Sequence, residues 1–257
     1  MNAAGIDPRE LADLLLLARR TGKAVPRPAN LDLPKARTAR HLSIEALTTE
    51  RLIEVGAYKV SLSTGTWGAL PSDAVVVGDA TLARAAFNDP LLEGEIAFLA
   101  EADLEPGCTV KDVIERCLVA PAIEIADSRW EDWSPSHRHR FVIPSAAEIE
   151  ADNAVAGMLV IGGSWTRACD VDLPSLSVEM HSTGQTLAEA SFRDVMGNPA
   201  NAVRWLAEQI ALEDRRVRRG QIVSSGCPHH TMVVVPEEGG QRSAIIEGLG
   251  TASVTFT

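Results

Sequence analysis

The chain has 257 residues, with 24 Lys and Arg against 35 Asp and Glu, for a net charge of −11. Its 46% hydrophobic and 23% charged residues are those of a folded globular protein, long enough to bury a core without disulfide or metal staples. The acidic balance argues against a nucleic-acid backbone or an anionic membrane surface as partner. No apolar run approaches the roughly 20 residues of a membrane helix.

At the N-terminus, Asp7 and Glu10 stand where a signal peptide would carry basic residues, so none is expected. Asp7, Pro8 and Glu10 predict a capped helix with Leu11, Leu14, Leu15 and Ala18 as its apolar stripe and Gly22 as its stop. Residues 23–36, with Pro26, Pro28 and Pro34, read as a loop. A second helix is expected from about Ser43 to Val55, ending at Gly56. Short strands then follow: Tyr58–Ser63, Ala74–Val77 as a buried run, and Gly94–Glu101 with alternating character. Thr109 and Asp112 predict a short helix to about Cys117. Strands are expected at Ala122–Ala126 and Gly157–Ile161, and a hairpin at Leu176–Met180 and Thr186–Ala190. Asn198 and Pro199 open a helix with Val203, Leu206, Ala207 and Ile210 on its apolar face, and the tail returns to strands. Strands and helices do not alternate regularly, so a doubly wound parallel sheet is not expected. The pattern predicts an α+β chain: a helical segment over residues 1–56 and a β-rich body over residues 57–257, one continuous domain overall. Cys108, Cys117, Cys169 and Cys227 form no C-x-x-C pair, which predicts reduced thiols in a cytoplasmic protein.

Three places can carry chemistry. Glu93 and Glu95, two apart on a strand, share a face with Ala97 and Leu99; two acids beside an apolar stripe repel unless a cation joins them. A hard divalent ion such as Mg²⁺ or Mn²⁺ suits carboxylate oxygens, and a solvated strand end is the plainer alternative. Glu124 lies inside the apolar run Pro121–Ala126, either at a sheet edge or as a third carboxylate of the same site. Lys59, in phase with Ser61 and Ser63, is either a surface lysine or a general acid or oxyanion clamp. In the second case its removal should leave the melting temperature within a few degrees. His229 and His230, adjacent on an extended segment, point to opposite faces and read as an exposed loop pair.

In order, these segments resemble a known family. Tyr58-Lys59-Val60-Ser61-Leu62 resembles G-x-K-I-G-L-T, and Leu92–Phe98 resembles V-E-x-E-I-A-F. Pro121–Arg129 followed by Trp133 resembles P-A-L-E-I-V-D-S-R and its downstream tryptophan. Asp152-Asn153-Ala154 with Gly157 and Gly162-Gly163 resembles D-N-A-S-S-G. Gly197–Ala207 is similar to G-N-P-L-N-A-V-x-W-L-A, and Arg219–Gly226 to G-D-I-V-L-S-G-S. These are marks of the 2-keto-4-pentenoate hydratase family, which includes 2-oxohept-3-ene-dioate hydratases and 4-oxalocrotonate decarboxylases, within the fumarylacetoacetate hydrolase superfamily.

The resemblance, from about residue 40 to the end, implies a mixed β-roll body and a Mg²⁺ or Mn²⁺ ion on Glu93, Glu95 and Glu124. It implies Lys59 and Asp79 as catalytic residues, with Val155, Ala156 and Ser61 toward the substrate. It further implies a lyase of aromatic catabolism that hydrates a 2-hydroxy-2,4-dienoate to a 4-hydroxy-2-oxo acid. A 2-oxo acid decarboxylase, or a non-hydrating binding module, stays open as the alternative. A homo-oligomer is expected, with a pathway aldolase or decarboxylase as an open further partner. Superfamily hydrolases carry a His-Glu pair near the metal strands. Between Tyr58 and Asp127 this chain has no histidine, which predicts a lyase and not a carbon–carbon bond hydrolase. The chain departs from the pattern at Ala57 and Ser61, at Val155-Ala156, at Cys227-Pro228-His229-His230 and at Pro236–Gly239. Apolar Val155 and Ala156, where hydroxyls are usual, predict an uncharged substrate tail; packing beneath the pocket is the alternative.

Overall fold

The computed structural model describes residues 6–135 and 141–257. Helix α1 (Pro8–Thr21) starts on Asp7, whose Oδ1 accepts from the Arg9 and Glu10 amides at 2.9 and 3.3 Å, and stops at left-handed Gly22, as expected. Helix α2 (Leu33–Arg51) starts well before the expected Ser43. Its cap is Asp32, which accepts from the Lys35 amide at 2.9 Å. Pro34 falls in the first turn, where a missing N–H costs no helical bond; a proline that reads as loop is here a helix opener. Among the described residues no helix is long and apolar enough to cross a membrane.

The body follows as β1 (Val55–Ser61), β2 (Thr66–Pro71), β3 (Val75–Val77), β4 (Ala80–Leu82), β5 (Leu91–Ala100), α3 (Val110–Arg116), β6 (Cys117–Ala126), α4 (Ala146–Ala151), β7 (Ala156–Ile161), β8 (Thr166–Arg167), β9 (Ser177–Ser182), β10 (Gln185–Ser191), α5 (Ala200–Ala211), β11 (Ile222–Ser224), β12 (Val233–Val234), β13 (Gly240–Ile246) and β14 (Gly250–Phe256). The expected capping box of α3 and the β9–β10 hairpin are both present. Strand β2 has no counterpart in the sequence reading: all six of its residues are buried, so it shows no period-two alternation to detect. Strand β3, expected to be buried, leaves Val77 exposed at a sheet edge.

A nine-stranded mixed sheet runs β2-β1-β11-β5-β6-β7-β3, with β12 on β5 and β8 on β6. A five-stranded sheet runs β10-β9-β13-β14-β4. The pairs β1·β11, β3·β7 and β14·β4 are parallel. The main core lies between the sheets: Leu92, Ile96 and Phe98 of β5 meet Val178 and Met180 of β9 and Ala244 of β13. Gly94 makes that approach possible, because a Cβ there would stand 2.7 Å from Val178 and 2.8 Å from the Met180 sulfur. Residues 93 and 95 therefore face away from the second sheet. A separate apolar cluster joins α1, α2 and α4 through Leu11, Leu15, Ala39, Trp130, Ala147 and Val155.

Candidate metal centre and active site

Strands β5 and β6 pair antiparallel along their whole length, which sets Glu93 directly opposite Glu124. Glu95 follows on the same face. The three carboxylates converge, one oxygen of each lying within 4.8 Å of the other two. Glu95 and Glu124 are fully buried and Glu93 is half-buried, so the cluster opens on the Glu93 side.

Strand β11 and the loop after it hold Glu95. Its Oε2 accepts from Ser224 Oγ and, at 2.9 Å, from the Gly226 amide. Ser225 locks the same stretch to β5, its hydroxyl accepting from the Ile96 amide at 3.1 Å. Among the described residues Glu95 Oε1 and Glu124 Oε2 meet no donor. Glu124 Oε1 faces Lys59 Nζ at 2.9 Å.

Lys59 reaches this point from β1, in register with Ser224 of β11 and Gly68 of β2. It is 2% exposed, not a surface lysine, and donates a second bond to the Ala154 carbonyl at 3.1 Å. Burial works against its charge, but attraction from Glu124, Glu93 and Glu95 outweighs burial and holds it above the usual lysine range. Burial, then repulsion from Glu93, pushes Glu95 up to about 7. Burial likewise drives Glu124 well above the carboxylate range, against the pull of Lys59. One ammonium cannot balance three carboxylates. The buried oxygens without donors are the donor set that a hard divalent cation takes, so Glu93, Glu95 and Glu124 fit such an ion.

The other expected site residues make different contacts. Ser61 ends β1 and accepts from Thr64 Oγ1 at 2.8 Å in the turn to β2. Asp79 is exposed between β3 and β4, and no hydrogen bond or ion pair among the described residues joins it to Lys59. Val155 packs in the cluster of Leu91 and Trp130, and Ala156 is fully buried. Both are packed side chains, the alternative the sequence left open beside a contact with the substrate tail. Asp127-Ser128-Arg129 serves the backbone. Asp152 is buried and accepts from Ser128 Oγ at 2.7 Å, from the Arg129 amide at 2.9 Å and from the Arg129 guanidinium, which also donates to the Ala156 carbonyl at 3.1 Å.

His229 overturns the reading of an exposed histidine pair: His230 is exposed, but His229 is buried against β5 at Gly94, the residue between Glu93 and Glu95. Its Nε2 accepts from the Gly94 amide at 3.3 Å and its Nδ1 donates to the Thr231 carbonyl at 2.9 Å. That pairing describes a neutral ring with both nitrogens occupied, and burial lowers its pKa in the same sense. His137 and His139 lie outside the described residues. Sequence reasoning also misses Asn153, the Ala154 carbonyl and the anchors Ser224 and Gly226, because each acts across a long stretch of chain.

Two curled mixed sheets with this carboxylate cluster define the class. The chain has the fold of the fumarylacetoacetate hydrolase superfamily, and superposes on 4-oxalocrotonate decarboxylase from Pseudomonas putida G7 with TM-score 0.83 over 97% of both chains at 23% identity. No family model matches the chain. It is 36% identical over 180 residues to 2-hydroxyhexa-2,4-dienoate hydratase of Comamonas testosteroni, spanning 69% of this chain but 64% of that enzyme. It is 33% identical over 192 residues to 2-keto-4-pentenoate hydratase 2 of Dechloromonas aromatica (74% and 69%), and 30% identical over 270 residues to the TodF product hydratase of Pseudomonas putida (96% and 94%). The chain belongs to the 2-keto-4-pentenoate hydratase family of lyases.

Proposed function

We propose that this chain hydrates a 2-hydroxy-2,4-dienoate, or its 2-oxo tautomer, to a 4-hydroxy-2-oxo acid, using Mg²⁺ or Mn²⁺ held by Glu93, Glu95 and Glu124. The observation that carries this reading is the convergence of three carboxylates on one buried lysine. Relatives named for dienoate and pentenoate hydration support the substrate class. The structural relative from Pseudomonas putida G7 is complexed with magnesium and adipate, which supports a divalent ion and an organic acid in this fold.

The chemistry a divalent ion supplies at these carboxylates is Lewis-acid polarisation of a 2-oxo acid. From the dienoate, the C2 hydroxyl loses a proton as C5 gains one; water then gives its hydroxyl to C4 and its other proton is matched by one gained at C3, with negative charge passing through the C2 oxygen at each proton movement. Lys59 is built to answer that charge. It stays protonated beside Glu124, and of its three N–H donors one faces Glu124 and one the Ala154 carbonyl. The third is available to an anionic substrate oxygen in a water-poor site, where a fixed donor has its largest effect.

Loss of dienoate ultraviolet absorbance with Mg²⁺, giving the 4-hydroxy-2-oxo acid without carbon dioxide, is the expected result. Carbon dioxide release from an oxalocrotonate with no dienoate hydration would overturn the reading in favour of a decarboxylase. Acylpyruvate cleavage should be slower by roughly a hundredfold or more, the usual scale for a missing general base. Among the described residues the histidine beside β5 is His229, and both of its ring nitrogens are occupied. Cleavage as fast as hydration would count against a lyase.

A further inference from the structure

Three consecutive residues, Asn153, Ala154 and Val155, hold φ of 54°, 52° and 54°. None is glycine, and for β-branched Val155 the left-handed region is a steric outlier. Such a turn persists only where its surroundings over-determine it, and strain of this kind gathers at functional sites.

The surroundings are specific. Before the turn, Asp152 is locked by Ser128 and Arg129. After it, the Val155 carbonyl accepts from the Asp127 amide at 2.8 Å, and Arg19 donates to the Ala156 carbonyl at 3.0 Å. Within it, both ends of the Asn153 amide are spent on one residue of β2: Oδ1 accepts from the Ala69 amide at 2.9 Å and Nδ2 donates to the Ala69 carbonyl at 2.8 Å. Strand β2 is the edge of its sheet, so the side chain of Asn153 stands in for a missing neighbouring strand. The approach is close: a Cβ on Gly68 would stand 2.3 Å from the Asn153 carbonyl oxygen. Gly68 is the register partner of Lys59. The product of all this is one group aimed at the centre, the Ala154 carbonyl on Lys59 Nζ.

We infer that Asn153 is a positioning residue for Lys59. By clamping the left-handed turn to β2 it fixes the Ala154 carbonyl as the second acceptor of the ammonium, which leaves one N–H for a further acceptor. This rests on the hydratase reading for its kinetic consequence but not for its geometry.

The test uses Mg²⁺-loaded Asn153→Ala, with Asn153→Asp, which keeps the acceptor for the Ala69 amide, as the second variant should the first fail to fold. The chain has four lysines, Lys23, Lys35, Lys59 and Lys111, so ¹⁵N-lysine spectra resolve their ammonium groups one by one, with Lys59→Met assigning the buried one. The expected result is a lost or shifted Lys59 ammonium signal, Mg²⁺ affinity unchanged by calorimetry, and kcat for the dienoate lower by about tenfold with little change in KM. A general structural role would move Mg²⁺ affinity or KM as well. An unchanged ammonium signal in a folded variant overturns the inference, and so does a lost signal with normal kcat. If wild-type protein turns over no dienoate, that failure falls on the hydratase reading, and the ammonium signal decides the positioning role by itself.

Discussion

Lys59→Met is expected to lower turnover by roughly a hundredfold or more, and to leave a metal-free protein that melts well below wild type. The second effect departs from the sequence expectation of a melting temperature within a few degrees, and the reason is burial. Lys59 is 2% exposed and sets a cation 2.9 Å from a fully buried carboxylate. Removing one partner of a buried ion pair leaves the other uncompensated, at a cost of about 3–5 kcal/mol. Glu124 can relieve part of that by binding a proton, and burial already drives it in that direction. The loss should therefore be larger at about pH 8 than at about pH 6. Added Mg²⁺ should restore much of the melting temperature without restoring turnover, because an ion replaces the charge of the ammonium but not its position. Melting curves with chelator and with Mg²⁺ at both pH values, alongside dienoate kinetics, make the check. An equal melting loss with and without Mg²⁺ would show that Lys59 does not balance this centre, and near-normal turnover would remove it from the reaction.

The difference between the two expectations shows what one chain of letters holds. That Glu93 and Glu95 share a face follows from a period of two, and the structure agrees. That Glu124 stands opposite Glu93 follows from the register of β5 on β6, which pairs Leu91 with Ala126 and is written in no local spacing. Alternation correctly separates His229 from His230, but only the return of the 226–231 loop onto β5 decides which is buried. Asn153-Ala154-Val155 carries no local sign of a left-handed turn, since each residue prefers φ below zero. The clamp from Ala69 and the Arg129–Asp152 network override that preference from far along the chain. Val155 and Ala156, which their motif sets either toward the substrate or in packing beneath it, are buried, and the backbone of the motif reaches Lys59. The capped helices α1 and α3 were legible because their signals are local: an acceptor side chain, a spacing of three and, for α1, a terminal glycine.

Glu95→Gln is expected to weaken Mg²⁺ binding at least about tenfold and, at the same time, to raise the melting temperature of the metal-free protein. Both follow from one imbalance. Three carboxylates within 4.8 Å share one ammonium, so without an ion the folded state holds charge it would rather shed. Burial and then Glu93 push Glu95 up to about 7 from an ordinary 4.5, against Lys59, Ser224 and the Gly226 amide. A carboxyl raised on folding contributes stability that is present below its unfolded value and is lost as pH rises through its folded value. Metal-free protein should therefore lose stability between about pH 4.5 and pH 7, and Glu95→Gln should flatten that slope. Mg²⁺ binding runs the other way, because the ion needs the ionised carboxylate, so affinity should climb toward about pH 7 and level off above it. Glu124→Gln should weaken binding as strongly, while half-buried Glu93 has water as a substitute ligand and its amide should cost less. The stabilised, poorly binding Glu95→Gln protein would be the usual exchange of activity for stability at a site kept under electrostatic strain. Calorimetric titration of Mg²⁺ at several pH values, with melting curves of the metal-free proteins, measures both arms. Unchanged binding in all three variants would remove the metal assignment, and a wild-type affinity flat from about pH 5.5 to pH 8 would show that proton and ion do not compete for Glu95.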